Sequence, residues 1–211
     1  MRNFHKILVF SDIHLTSSGK KIIGLNPTKK LSLALEHALK NHIDAQHIIF
    51  SGDLAHDGDV ESYKLLKEMT KKIKIPITFM MGNHDDRMTF SNVFPDVAFD
   101  TNGFLQSKIS LLNYEILCLD TLQNPNMPYS KNAGFLCEKR LTWLDRELIS
   151  AKQKKVIIFM HHPAFPVGFK AMDEIRLANA QSFFSILERS NNVKHMIFGH
   201  IHRTISGHYD G

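Results

Sequence analysis

Six of the thirteen histidines in this 211-residue chain stand in short clusters with Asp, Asn and Gly, and no cysteine joins them. The clusters are Asp12-Ile13-His14, Gly52-Asp53, Gly82-Asn83-His84-Asp85, His161-His162 and Gly199-His200-Ile201-His202. Carboxylate and amide oxygens mixed with imidazole nitrogens, without thiolate, form a donor set for Mn²⁺, Fe, Zn²⁺ or Co²⁺; Ca²⁺ and structural zinc sites use other sets. Seven candidate ligands, Asp12, His14, Asp53, Asn83, His161, His200 and His202, exceed one tetrahedral site. A shared Asp would make two sites about 3.5 to 4 Å apart, the arrangement that clamps attacking and leaving oxygens in phosphoryl displacement. Two divalent cations against two carboxylates leave net positive charge, which suits an anionic phosphate ester. Taken singly, each residue has a plainer explanation as a turn former or a structural histidine.

What joins them is position. Short apolar runs at 7–10, 47–50, 77–81, 115–119, 156–160 and 195–198 read as strands, and five of them end immediately before a cluster. In an α/β sheet the carboxyl ends of the strands form the edge where ligands bind. Between the runs, residues 28–42, 59–72, 138–151 and 173–189 carry apolar side chains at helical spacing, with Thr28 and Asp59 suited to N-caps. Residues 83–101 and 122–136 hold Pro, Gly, Asn and Asp and read as long loops over a functional face. The last residues to Gly211 read as the start of another strand.

Composition is that of an ordinary globular protein, 43% hydrophobic and 22% charged, which sets disorder and fibrous architecture aside. A chain of this length buries roughly 70% of its unfolded surface, so one domain spanning 1–211 is expected, without a disulfide framework. Cys118 and Cys137 are expected as reduced thiols, and no window approaches the ~18 apolar residues of a membrane span, so the reading is cytoplasmic. The net charge of +5 is scattered, and no aromatic and basic stacking platform marks a nucleic-acid partner.

The five clusters, in this order, resemble the motif blocks of the calcineurin-like metallophosphoesterases over nearly the whole chain. The segment His161-His162-Pro163-Ala164-Phe165-Pro166-Val167-Gly168, with Met172-Asp173 and Leu177-Ala178-Asn179, resembles class III cyclic nucleotide phosphodiesterases and their glycerophosphodiesterase relatives. The resemblance implies an α/β fold: a two-sheet β-sandwich flanked by helices, four layers in all. It implies two divalent or mixed-valence metal ions, Fe or Mn foremost and Zn or Co as alternatives. Asp12, His14, Asp53 and His202 would hold one ion and Asp53, Asn83, His161 and His200 the other, with Asp53 bridging. A metal-bridging hydroxide would attack in line, His84 would serve the leaving oxygen, and Asp85 would orient His84. His84 follows Asn83 directly, so a turn starting at Gly82 is needed to aim the two side chains at different tasks.

The resemblance further implies a small phosphodiester substrate, 3′,5′-cyclic AMP first, with glycerophosphodiesters or other small diesters as the alternative. His162 is expected as a pocket or packing residue, His56 as a loop residue near the rim, and Arg87 either on a phosphate oxygen or in a surface ion pair. Family members normally continue with further strands after the last histidine motif, so the domain reads as one truncated at its C-terminus, and core closure, a C-terminal dimerisation element and a homo-oligomer stay open. Some members of the fold are protein-binding scaffolds without catalysis; the presence of every ligand and of His84 argues for an enzyme.

Overall fold

The computed structural model describes residues 5–151 and 153–208, apart from the Ser18 side chain. The chain forms two compact units, 1–98 and 99–211.

The first unit is built on a parallel three-stranded sheet in the order β1 (Ile7–Phe10), β2 (His47–Ser51), β3 (Ile77–Met80). The registers Phe10↔Phe50 and Phe50↔Phe79 bring the carboxyl ends of all three strands to one edge. Central β2 reads as a continuous apolar run because Ile48, Ile49 and Phe50 are all fully buried, as expected of a parallel strand covered on both faces. Helix α1 (Pro27–Asn41) buries Leu31, Leu35 and Ala38 along one stripe. Its cap is Asn26, whose side chain accepts from Lys29 N at 3.0 Å, with Pro27 in the first turn; Thr28, the cap expected from sequence, lies inside the helix. Asp59 caps α2 (Val60–Thr70) as expected, accepting from Ser62 N at 2.9 Å. The stretch expected as a loop from residue 83 contains α3 (Arg87–Val93), capped by Asp86 and anchored by buried Phe90 and Val93. Seven residues with two anchors are too short for helical periodicity to show.

The second unit has a four-stranded sheet, β4 (Ser107–Ser110), β5 (Tyr114–Leu119), β6 (Lys155–Met160) and β7 (Val193–Phe198), in that order. Strands β5, β6 and β7 are parallel, and β4 returns antiparallel to β5. Sequence reading misses β4 because Ser-Lys-Ile-Ser has no apolar run, only a four-residue alternation. Helix α4 (Glu138–Ser150) lays Leu144 and Leu148 into a core shared with Leu117, Ile158, Met160 and Phe183. The single helix expected over 173–189 is two, α5 (Lys170–Asp173) and α6 (Ala180–Leu187). The break is held from outside: Leu177 N donates to Pro163 O, and the Asn179 side chain bonds both Leu136 N and Leu136 O. The loop 122–136 has no helix or strand of its own and is pinned by bridges from Gly134 to Leu122 and Leu177. Its entry is fixed by Arg140, fully buried, which donates to Asp120 O and Leu122 O at 2.7 Å and lies over the Phe104 ring.

Residues 203–208 lie in no strand, and 209–211, where a further strand was expected to start, lie outside the described residues. Cys118 and Cys137 are free, and burial pushes the Cys118 thiol up to about 12. Among the described residues no helix is long and apolar enough to cross a membrane.

Candidate metal centre

In the first unit, pairing continues past the strand ends. Asp12 N donates to Gly52 O, His14 N to Asp53 O at 2.8 Å and Leu15 N to Leu54 O, so the loops after β1 and β2 run side by side. Asp12, His14 and Asp53 adopt positive φ of 52°, 41° and 50°, conformations that cost non-glycine residues energy and gather at functional sites. The result places His14 Nε2 3.4 Å from Asp53 Oδ2, with both side chains nearly removed from solvent.

The loop after β3 closes on the same carboxylate. Residues 82–85 form the turn that the Asn83-His84 pair requires, with Asp85 N donating to Gly82 O and His84 N to Asp53 Oδ1 at 3.0 Å. Gly82 serves this turn through space and not through a positive φ: a Cβ there would lie 2.1 Å from Asp53 Oδ1 and 2.3 Å from Asp53 N. The ring of His84 donates from Nδ1 to the His56 carbonyl at 2.7 Å, because a carbonyl can only accept. The ring nitrogen that this bond leaves for another partner is therefore Nε2.

Asp85 does not touch that ring. Its carboxylate accepts from Leu54 N, Ala55 N, Gly82 N and the Tyr63 hydroxyl, all at 2.9 to 3.1 Å, and so ties the loop after β3 to the loop after β2. The orienting contact expected of Asp85 comes from the His56 carbonyl, since Asp85 is turned inward toward five donor contacts. Burial first, then the charge of Asp53, push Asp85 up to about 6, against the lowering effect of the three N–H groups. Exchange of Asp85 for Asn would aim an NH₂ group at backbone N–H groups in either amide orientation. Asp85→Asn is expected to cost about 1–3 kcal/mol, read as a melting temperature several degrees lower for the metal-free protein; an unchanged melt would contradict this bracing role.

In the second unit, His161 follows β6, and Gly199 N donates to His161 O, extending the β6–β7 pairing to the next cluster. His200 and His202 adopt φ of 70° and 49°. Five of the seven described non-glycine residues with positive φ are thus candidate ligands. His161, His162 and His200 are buried, and one ring nitrogen from each lies within 4.8 Å of the others. His202 is exposed. His162, expected as a pocket or packing residue, is fully buried with Nδ1 2.7 Å from Thr121 Oγ1, and a Cβ at Gly134 would meet its ring at 2.6 Å. Arg87 opens α3.

His56, expected as a loop residue near the rim, stacks on His84 with ring centroids 5.0 Å apart. Thr121 escapes sequence reading: it sits after β5, a strand with no ligand cluster, and a lone threonine carries no signal.

The donor chemistry fits metal ions. Buried Asp53 and Asp85 repel one another, and imidazoles and carboxylate oxygens converge in the first unit while three imidazoles converge in the second. The profile of the calcineurin-like phosphoesterase family matches residues 5–204, and the chain belongs to that family of hydrolases. It is similar to "Probable cyclic nucleotide phosphodiesterase RPA0124" of Rhodopseudomonas palustris, 37% identical over 98% of this chain and 74% of that one. It is also similar to "Probable glycerophosphodiester phosphodiesterase GpdQ" of Arcobacter nitrofigilis, 30% identical over 93% of this chain and 71% of that one. The 3′,5′-cyclic adenosine monophosphate phosphodiesterase CpdA of Pseudomonas aeruginosa is 25% identical, over 93% of this chain and 69% of its own. Among solved structures, a dimetal phosphatase from Danio rerio shares the fold with a TM-score of 0.72 at 18% identity, covering 94% of this chain and 82% of that one.

Proposed function

We propose that this protein is a two-metal phosphodiesterase of cyclic nucleotides, with 3′,5′-cyclic AMP as its first substrate. The observation that carries the mechanism is the fixed ring of His84. The substrate class is supported by the 37% identity, over nearly the whole chain, to a protein named for cyclic nucleotides, and cyclic AMP by the likeness to CpdA. The family match spans both units, which supports one functional domain. The two free thiols support a reducing, cytoplasmic setting.

Asp12, His14, Asp53, Asn83, His161, His200 and His202 are the proposed ligands, with Asp53 shared. When bound, such a pair of cations supplies Lewis acidity and makes a nucleophile of water. The chain's own residues do the rest. His84 Nδ1–H is committed to the His56 carbonyl, so in its protonated state only Nε2–H remains to be given to the leaving alkoxide. Water adds to phosphorus, the ester P–O bond breaks, and the product is a nucleoside monophosphate.

Steady-state comparison of cyclic AMP, cyclic GMP, glycerophosphocholine, an aryl phosphodiester and its monoester on Mn²⁺-loaded protein tests this. Cyclic AMP is expected to be preferred, to stop at the monophosphate, and the aryl diester to exceed the monoester in kcat/KM. Faster hydrolysis of glycerophosphocholine would favour the reading that the GpdQ likeness suggests. Preferential release of phosphate from monoesters would make the protein a phosphatase.

A further inference from the structure

We propose that His56 is a positioning residue that holds two imidazoles at once, its ring accepting from His14 and its main-chain carbonyl from His84. The inference rests on the reading of His14 as a metal ligand and His84 as the reacting histidine.

The tautomers follow one from another. The contact between His84 Nδ1 and His56 O, at 2.7 Å, requires the proton on His84 Nδ1. His14 presents Nε2 to Asp53 Oδ2 at 3.4 Å, which makes Nε2 its metal-side atom. An imidazole that ligates through Nε2 carries its proton on Nδ1, and His14 Nδ1 lies 3.4 Å from His56 Nδ1. His56 Nδ1 is then the acceptor, and the proton of the His56 ring sits on Nε2. The His56 ring also stacks nearly parallel on His84, at an interplanar angle of 19°, which limits rotation of both. His56 is itself anchored by its main chain, which donates to Leu15 O at 2.9 Å beside the Leu15↔Ala55 bridge. One residue thereby links the loop that carries a ligand to the ring that serves the leaving group.

One nitrogen each from His14, His56 and His84 could instead gather a further ion. The assignment above opposes this, because His14 Nε2 is turned to Asp53 and His84 Nδ1 to a carbonyl.

His56 is half-buried, so exchanges there leave the core intact. Mn²⁺ binding would be measured by competition with a fluorescent chelator on the full chain, comparing wild type, His56→Phe and His56→Asn. Phe keeps a flat ring on His84 and the carbonyl but removes the acceptor for His14. It is expected to weaken one Mn²⁺ site about 10- to 100-fold, the usual worth of a residue that orients a ligand, while the metal-free protein melts as wild type does. Asn, whose Oδ1 replaces the ring acceptor, is expected to stay close to wild type. Wild-type affinity in His56→Phe, equal weakening in His56→Asn, or three bound equivalents falling to two would overturn the proposal. Wild-type protein that binds two Mn²⁺ yet cleaves no cyclic nucleotide would overturn the proposed function and leave the role of His56 standing. Wild-type protein that binds no Mn²⁺ would overturn both.

Discussion

Asp53→Ala is expected to yield a folded protein that retains neither metal ion and has lost about 10³-fold or more in kcat/KM, since the cations supply several kcal/mol of charge stabilisation. Asp53 is almost fully buried, and both of its oxygens are engaged: Oδ1 accepts from His84 N, and Oδ2 lies 3.4 Å from His14 Nε2. Alanine removes the charge and also the acceptor for His84, so Asp53→Asn is the necessary companion. Asn keeps an oxygen for the His84 N–H, while an NH₂ group replaces the oxygen that faces His14 and the negative charge is lost. If metal affinity depends on that charge, the two variants should lose metal alike, as measured by elemental analysis after gel filtration. Single exchanges farther out should be milder: His202→Ala is expected to weaken one site, and His200→Ala or Asn83→Ala the other. Two tightly bound ions in Asp53→Ala would exclude the shared-ligand assignment.

His84→Ala is expected to keep both ions and to lower kcat by about 10² to 10⁴, the range for a positioned general acid. Metal content should be unaffected because the ring of His84 is held by a carbonyl and by stacking, while its main-chain N–H, which survives the exchange, makes the bond to Asp53. The loss should be largest for a cyclic nucleotide, whose leaving alkoxide is strongly basic, and should shrink for a nitrophenyl diester, whose leaving oxygen needs little protonation. Equal losses on both substrates at full metal occupancy would assign His84 to stabilisation of phosphoryl charge. No loss on either would remove it from the mechanism.

Much of this frame was legible in the chain alone. The runs at 7–10, 47–50, 77–81, 115–119, 156–160 and 195–198 all lie in strands or, for Met81, just beyond one, because buried parallel strands demand unbroken apolar residues. The α/β class with two sheets and helices follows from those strands and the family likeness. Elements held by few residues were not legible. Strand β4 depends on its neighbour β5, α3 on two anchors, and the break between α5 and α6 on bonds from Leu136 and Pro163.

The same division runs through the site. Metal ligation and proton transfer demand particular side chains, so the proposed ligands Asp12, His14, Asp53, Asn83, His161, His200 and His202, and the proposed proton donor His84, stand out by type and by their place after a strand. Only the tertiary structure decided how the supporting atoms are used. Gly82 is small because the Asp53 carboxylate occupies the space a Cβ would need. Asp85 accepts from three backbone N–H groups and Tyr63 instead of from His84, and the carbonyl of His56 takes the place expected of Asp85. A carbonyl belongs to every residue and a backbone N–H to nearly every one, so a contact made through them leaves no trace in the identity of the side chain; it exists only where folding brings two distant loops within hydrogen-bonding reach.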